Sequence, residues 1–110
     1  MELRRAGDAA VVSARGDIDL STLPRAMTAL AEARAEAGSL VLDLREVGFM
    51  DTSGLRLIIE EQQRAASGGY RFAVVRGPSR VQRLFEIAGL AGEEDLFVDA
   101  PDQLAAGGGD

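Results

Sequence analysis

The spacing of apolar positions along the chain changes several times, and each change marks an element. Residues 2–6 and 9–15 read as two strands around Gly7-Asp8, a turn signal, so they predict a hairpin. The second stretch, with Ala9-Ala10-Val11-Val12 at its start, is the stronger strand. Gly16-Asp17-Ile18-Asp19-Leu20 then reads as a loop with two acids. Beyond it the period lengthens: Leu23, Met27, Leu30 and Ala31 fall on one helical face, with Glu32, Arg34 and Glu36 as the polar complement. Ser21 or Thr22 is placed to cap this helix, Pro24 suits its first turn, and Gly38 suits its end. Residues 40–44 are nearly all apolar, as in an internal strand. A short loop leads to a second helix over about 53–66. Its inner side is set by Leu55, Ile58, Ile59 and Gln62, and its outer side by Arg56, Glu60, Gln63 and Arg64. After Ser67-Gly68-Gly69 come a strand at 71–75, a break at Gly77-Pro78, and a helix over about 79–88 with Val81, Leu84, Phe85 and Ala88 inward. Residues 96–98 predict a short edge strand, and 101–106 one or two helical turns. The glycine-rich residues 107–110 predict a disordered tail.

A hairpin followed by alternating helices and strands is an α/β order, and its parallel strands require right-handed crossovers. The 110 residues suit one domain, assigned here to residues 1–106, with one core. Only 5% of residues are aromatic, so that core must be mostly aliphatic.

Charge and missing residue types narrow the function. The net charge of −6 argues against general affinity for nucleic acid or an anionic membrane. No apolar run approaches the roughly 20 residues that span a bilayer, and no apolar run follows Met1-Glu2-Leu3-Arg4-Arg5 to make a signal peptide. With no cysteine there is no disulfide framework, and a cytoplasmic location is expected. Every basic residue is arginine; lysine, histidine and tryptophan are absent. The commonest general base, the thiolate nucleophile and the Schiff-base amine are therefore unavailable, which argues against an enzyme. No metal or cofactor is expected.

One junction carries candidate chemistry. Leu42-Asp43-Leu44 leads through Asp51 to Thr52-Ser53-Gly54-Leu55, where a helix opens on two hydroxyls and a glycine. Helix N-termini expose unpaired N–H groups and partial positive charge, so a phosphoryl group is tolerated there. Taken alone, Ser53 also fits an ordinary cap. Asp51 suits ordering of the loop, and Gly54 close packing at the helix start.

Three segments together resemble the STAS domains of bacterial anti-sigma factor antagonists. They are Gly16-Asp17-Ile18-Asp19 with Thr22; Leu42-Asp43-Leu44 through Asp51-Thr52-Ser53-Gly54-Leu55, close to the family's D-S-S-G-L signature; and Pro78 with residues 81–90, ending in Gly89-Leu90. The match spans roughly residues 9–98. The resemblance implies a small mixed sheet, an N-terminal hairpin then parallel strands, packed with about four helices. It implies a non-enzymatic, monomeric protein that binds an anti-sigma factor. That partner is often a serine kinase with a histidine-kinase-like ATPase domain. Phosphorylation at the signature serine, here Ser53, weakens binding, and a serine phosphatase restores it. Thr52 is the second possible acceptor. The residues implied to meet the partner are Asp17, Asp19, Asp51, Thr52, Ser53, Gly54 and Arg56.

A second STAS role shares these features: the cytoplasmic accessory subunit of a lipid-transporting ABC system, docked on an ATPase subunit without phosphorylation. A serine hydrolase is disfavoured, because no histidine and no Gly-x-Ser-x-Gly elbow accompany Ser53. A nucleotide-binding role lacks both a P-loop and a Gly-x-Gly-x-x-Gly.

Overall fold

The computed structural model describes residues 1–90 and 95–103. The chain runs β1 (Glu2–Ala6), β2 (Ala9–Ile18), α1 (Leu23–Glu36), β3 (Ser39–Met50), α2 (Thr52–Gly68), β4 (Arg71–Val75), α3 (Ser79–Ile87) and β5 (Phe97–Val98). A further helical turn lies at 101–103. The expected turns over 104–106 and the tail at 107–110 fall outside the described residues.

The five strands lie side by side in chain order. β1 and β2 form the expected antiparallel hairpin, and every later pair is parallel. A sheet that grows in one direction by right-handed crossovers sets its helices on the same face. Ala26 and Leu30 of α1, Ile58 of α2 and Phe85 of α3 accordingly share one core with Val12, Leu42 and Val74. Burying each of the larger side chains contributes about 1.5–3 kcal/mol. The opposite face is apolar too, with Val11, Val41 and Val75 packed together. This explains the unbroken apolar run of β3, whose interior strand is covered on both faces.

Three expectations needed correction. First, β2 and β3 run further than their apolar cores: 16–18 is strand rather than loop, and β3 continues to Met50. Register slips occur between Ser13 and Arg15 and between Gly16 and Asp17, and β3 carries one extra residue at each. Bulges break the two-residue period, so Val47 and Met50 are buried at irregular spacing. Gly16 sits at the second slip with φ of 80°, a conformation that side chains resist.

Second, α1 turns a different face inward. Its buried residues are Ala26, Leu30 and Ala33, while Met27 and Ala31 face water. Two stripes satisfy the helical period; the one with small alanines lets the helix lie close to β2. Third, α1 and α2 are joined by a buried charge. Glu61 is 2% exposed and accepts from Arg34 Nη1 at 2.5 Å and from the Tyr70 hydroxyl. Arg34 was expected to be a solvent-facing residue. A buried carboxylate demands such partners, and both of its oxygens are used.

Candidate partner-binding site

The site gathers where β2 and β3 end and α1 and α2 begin. The Asp51 N–H donates to the Ile18 carbonyl at 3.2 Å, tying the two strand ends together. Asp51, not Ser53, is the N-cap of α2: its backbone is extended, and its Oδ1 accepts from the Ser53 N–H at 2.9 Å. The same oxygen accepts the Ser53 hydroxyl at 2.5 Å. Ser53 is thus released from the capping role that it suited as a sequence. Its hydroxyl is half-buried in the first turn, held in one orientation by Asp51.

Gly54 is buried directly behind it, as its close-packing role predicts. A Cβ added there would lie 2.6 Å from Met50 Cγ and 2.8 Å from Ile18 Cγ2. The bulged ends of β2 and β3 therefore bring Ile18 and Met50 under the first turn of α2, and only a glycine fits above them.

The second acidic residue performs a similar local task. Asp19 Oδ1 accepts from the Ser21 N–H at 3.0 Å, the Ser21 hydroxyl at 2.7 Å and the Thr22 N–H at 3.2 Å. Thr22 Oγ1 accepts from the Asp19 N–H and donates to the Asp17 carbonyl, both at 3.0 Å. Asp19 and Thr22 together build the entry to α1, and the carboxyl of Asp19 is largely spent on that turn.

Both carboxyls are held below the usual range. The Ser53 hydroxyl bond is the main cause at Asp51, and the Ser21 hydroxyl bond at Asp19. Asp19 acts on Asp51 in the opposite sense, as a like charge nearby. The patch around Ser53 therefore carries negative charge even when unmodified. Thr52 and Arg56 are exposed on the same end of α2, and Asp17 is exposed at the end of β2. The seven residues singled out from the sequence thus converge on one end of the sheet.

Sequence reasoning missed the apolar part of this surface. Leu20 and Met27 stand in water beside Thr52 and Ser53, around a groove of about 350 Å³. The signal was a leucine within an acidic loop, but only the turn of α1 shows that Met27 joins it. Asp43 takes no part: it is buried on β3 and held by a two-point contact with Arg45, at 3.0 and 2.8 Å. Among the described residues no group of three or more acidic, histidine or cysteine side chains is placed to hold a metal ion, and no helix is long and apolar enough to cross a membrane.

Residues 1–99 match the family model described as "Mlab, STAS domain". The chain belongs to the STAS-domain family. Several solved structures share this STAS fold. An anti-sigma factor antagonist from Mycobacterium paratuberculosis superimposes with a TM-score of 0.82 at 24% identity, covering 99% of this chain and 92% of that one. The anti-sigma factor antagonist SpoIIAA in its unphosphorylated form gives 0.75 at 18% identity, with 96% and 91% coverage. The Bacillus cell fate determinant SpoIIAA in the phosphorylated form gives 0.72 at 16% identity, with 99% and 98% coverage. At these identities the likeness is one of fold.

Proposed function

We propose that this STAS domain is an anti-sigma factor antagonist. In its unphosphorylated form it binds a cognate anti-sigma factor that is also a serine kinase, and so frees the sigma factor. Phosphorylation of Ser53 ends the binding, and a serine phosphatase restores it. The chain acts by binding rather than by catalysis, as a cytoplasmic monomer.

The observation that carries this reading is the state of Ser53. Its hydroxyl lies at a helix start, outside the capping role, with a carboxylate 2.5 Å away. A phosphoryl group there replaces one neutral donor by about −1.5 to −2 charges and three solvated oxygens. The helix end favours that charge, so α2 need not melt. The hydrogen bond to Asp51 must break, however, and the new charge stands beside Asp51 and Asp19. A partner face shaped around a small hydroxyl then meets a bulky hydrated anion. A change of about 1.4 kcal/mol is already tenfold in affinity. Antagonists of this fold have been solved in unphosphorylated and phosphorylated forms, which supports the comparison. Thr52 is more exposed than Ser53, and it is the second candidate acceptor.

The test is a pull-down from the source cell's lysate with wild type, Ser53→Ala and Ser53→Glu, bound proteins being identified by mass spectrometry. A kinase-type anti-sigma factor should be held by wild type and lost with Ser53→Glu, and the phosphopeptide should map to Ser53. The family model that matches the chain is that of a Mlab STAS domain. The ABC-system reading is therefore the alternative outcome: transporter subunits held equally by all three forms would establish it instead.

A further inference from the structure

A separate hollow of about 630 Å³ opens where β4 hands over to α3, lined by Arg76, Ser79, Arg80, Gln82, Arg83 and Glu86. Strands β2 to β5 run parallel, so this loop lies at their carboxyl end, where open α/β sheets hold small ligands. The volume is that of a small-molecule site. Three arginines around one hollow stand out in a chain with 18 acidic and 12 basic residues. Arg80 and Arg83 are exposed, and neither has an ion-pair partner among the described residues; Glu86 lines the same hollow without pairing to them. Arg76 is held in place. Its guanidinium lies 5.4 Å from the Phe97 ring centroid, and its Nη1 donates to Asp99 at 2.6 Å. The loop between them is seated firmly, since a Cβ on Gly77 would lie 2.9 Å from the Leu44 carbonyl oxygen. Gln82 Oε1 accepts the Gly77 N–H at 2.9 Å, so the acceptor of that amide is spent and its NH₂ remains to donate. Glu86 apart, the polar lining is a set of donors. Its occupant must bring acceptors, negative charge and enough oxygens for more than one guanidinium. A carboxylate fills a single fork, whereas a phosphate offers three oxygens and nearly two charges.

We propose that this hollow binds the phosphate monoester of a small soluble molecule. Arg80 and Arg83, three residues apart on one helix face, take the phosphoryl oxygens, and Arg76 and the Gln82 amide complete the set. The remaining volume receives the body of the ligand. A chain of net charge −6 disfavours a phospholipid surface as the source of the phosphate. The hollow shares no lining residue with the Ser53 surface, so binding here stands or falls apart from the antagonist reading.

The test is calorimetric titration of the full chain with glycerol 3-phosphate, beside glycerol and acetate. Glycerol 3-phosphate should bind saturably and more weakly as salt is added, and glycerol should not bind. Arg80→Gln and Arg83→Gln should each bind about tenfold more weakly, since each removes charge-assisted bonds. Both positions are exposed, and circular dichroism would confirm that the variants fold. Arg25→Gln makes the same change in net charge at an exposed position on α1 and should bind as wild type. Asp99→Asn removes a carboxylate that competes for Arg76 and should tighten binding several-fold. The proposal is overturned if wild type shows no saturable binding at millimolar ligand, if acetate binds as tightly, or if Arg25→Gln weakens binding as much as Arg80→Gln. Capture by phosphatidate vesicles without binding of glycerol 3-phosphate would put the phosphate on a membrane and overturn it too.

Discussion

Gly54 offers the sharpest test of how the site is built. Replacing it with alanine adds one methyl group at a helical position, which normally favours a helix by up to about 1 kcal/mol. Here the new Cβ would lie 2.6 Å from Met50 Cγ and 2.8 Å from Ile18 Cγ2. Relaxed carbon contacts are about 3.5–4.0 Å, so both approaches are roughly 1 Å too close. Ile18 is fully buried and β-branched, with little freedom to turn away. Met50 is more pliable, but it too is buried. Overpacking of this kind costs about 1–3 kcal/mol, and the propensity gain is small in a first turn. The expected net loss is about 1–2 kcal/mol. In a domain of this size each 1 kcal/mol lowers the melting temperature by roughly 4–8 °C, so the expected drop is about 4–16 °C. Thermal and urea unfolding followed by circular dichroism would read it. The decisive comparison is the same substitution in a Met50→Ala background, where one clashing side chain is gone. There the cost of Gly54→Ala should fall by about 1 kcal/mol. A stable Gly54→Ala, or an equal cost in both backgrounds, would refute the packing argument.

Two further outcomes follow from the charges. The Asp51 carboxyl sits low chiefly because the Ser53 hydroxyl donates to it, so Ser53→Ala should raise its titration midpoint toward 3.8, as seen by carboxyl-carbon NMR. An unmoved midpoint would mean that the hydroxyl points elsewhere. Because the folded value is depressed, this group's contribution to stability is present above 3.8 and is lost as pH falls through the folded value. Tyr70 behaves in the opposite sense. Burial, and then its bond to Glu61, push the phenol up from 10.0 to about 12. Its contribution is therefore whole below pH 10 and is lost as pH rises toward 12. Urea midpoints measured across that window should fall for wild type and fall less for Tyr70→Phe.

Much of the fold was legible because its signals are local. The Gly7-Asp8 turn, the apolar run at 40–44 and the Val81 and Phe85 positions of α3 each carry their period within a few residues, whereas Ala88, expected inward, lies exposed just past the helix end, at Ile87. The candidate site residues came from two of the three matching segments, and the structure places those two at one end of the sheet, where β2 and β3 end and α1 and α2 begin. The errors have physical causes. Bulges hid the second half of β3, because inserted residues destroy the two-residue alternation that identifies a strand. Arg34 looked like a solvent residue because nothing near it in sequence announces Glu61, which is 27 positions away.

By itself the sequence determined the order of elements, the largely aliphatic make-up of the core, the absence of histidine, cysteine and lysine chemistry, and the Asp-Thr-Ser-Gly-Leu junction. These follow from residue types and short-range periods. Only the tertiary structure decided which face of α1 is buried, since Met27 and Ala26 satisfy the helical period equally well and the sheet selects the smaller. It also decided that Asp51 takes the cap and leaves Ser53 its hydroxyl, because that choice depends on where the bulged ends of β2 and β3 hold Ile18 and Met50. Local propensity proposes several near-equal arrangements, and packing between distant segments selects one of them.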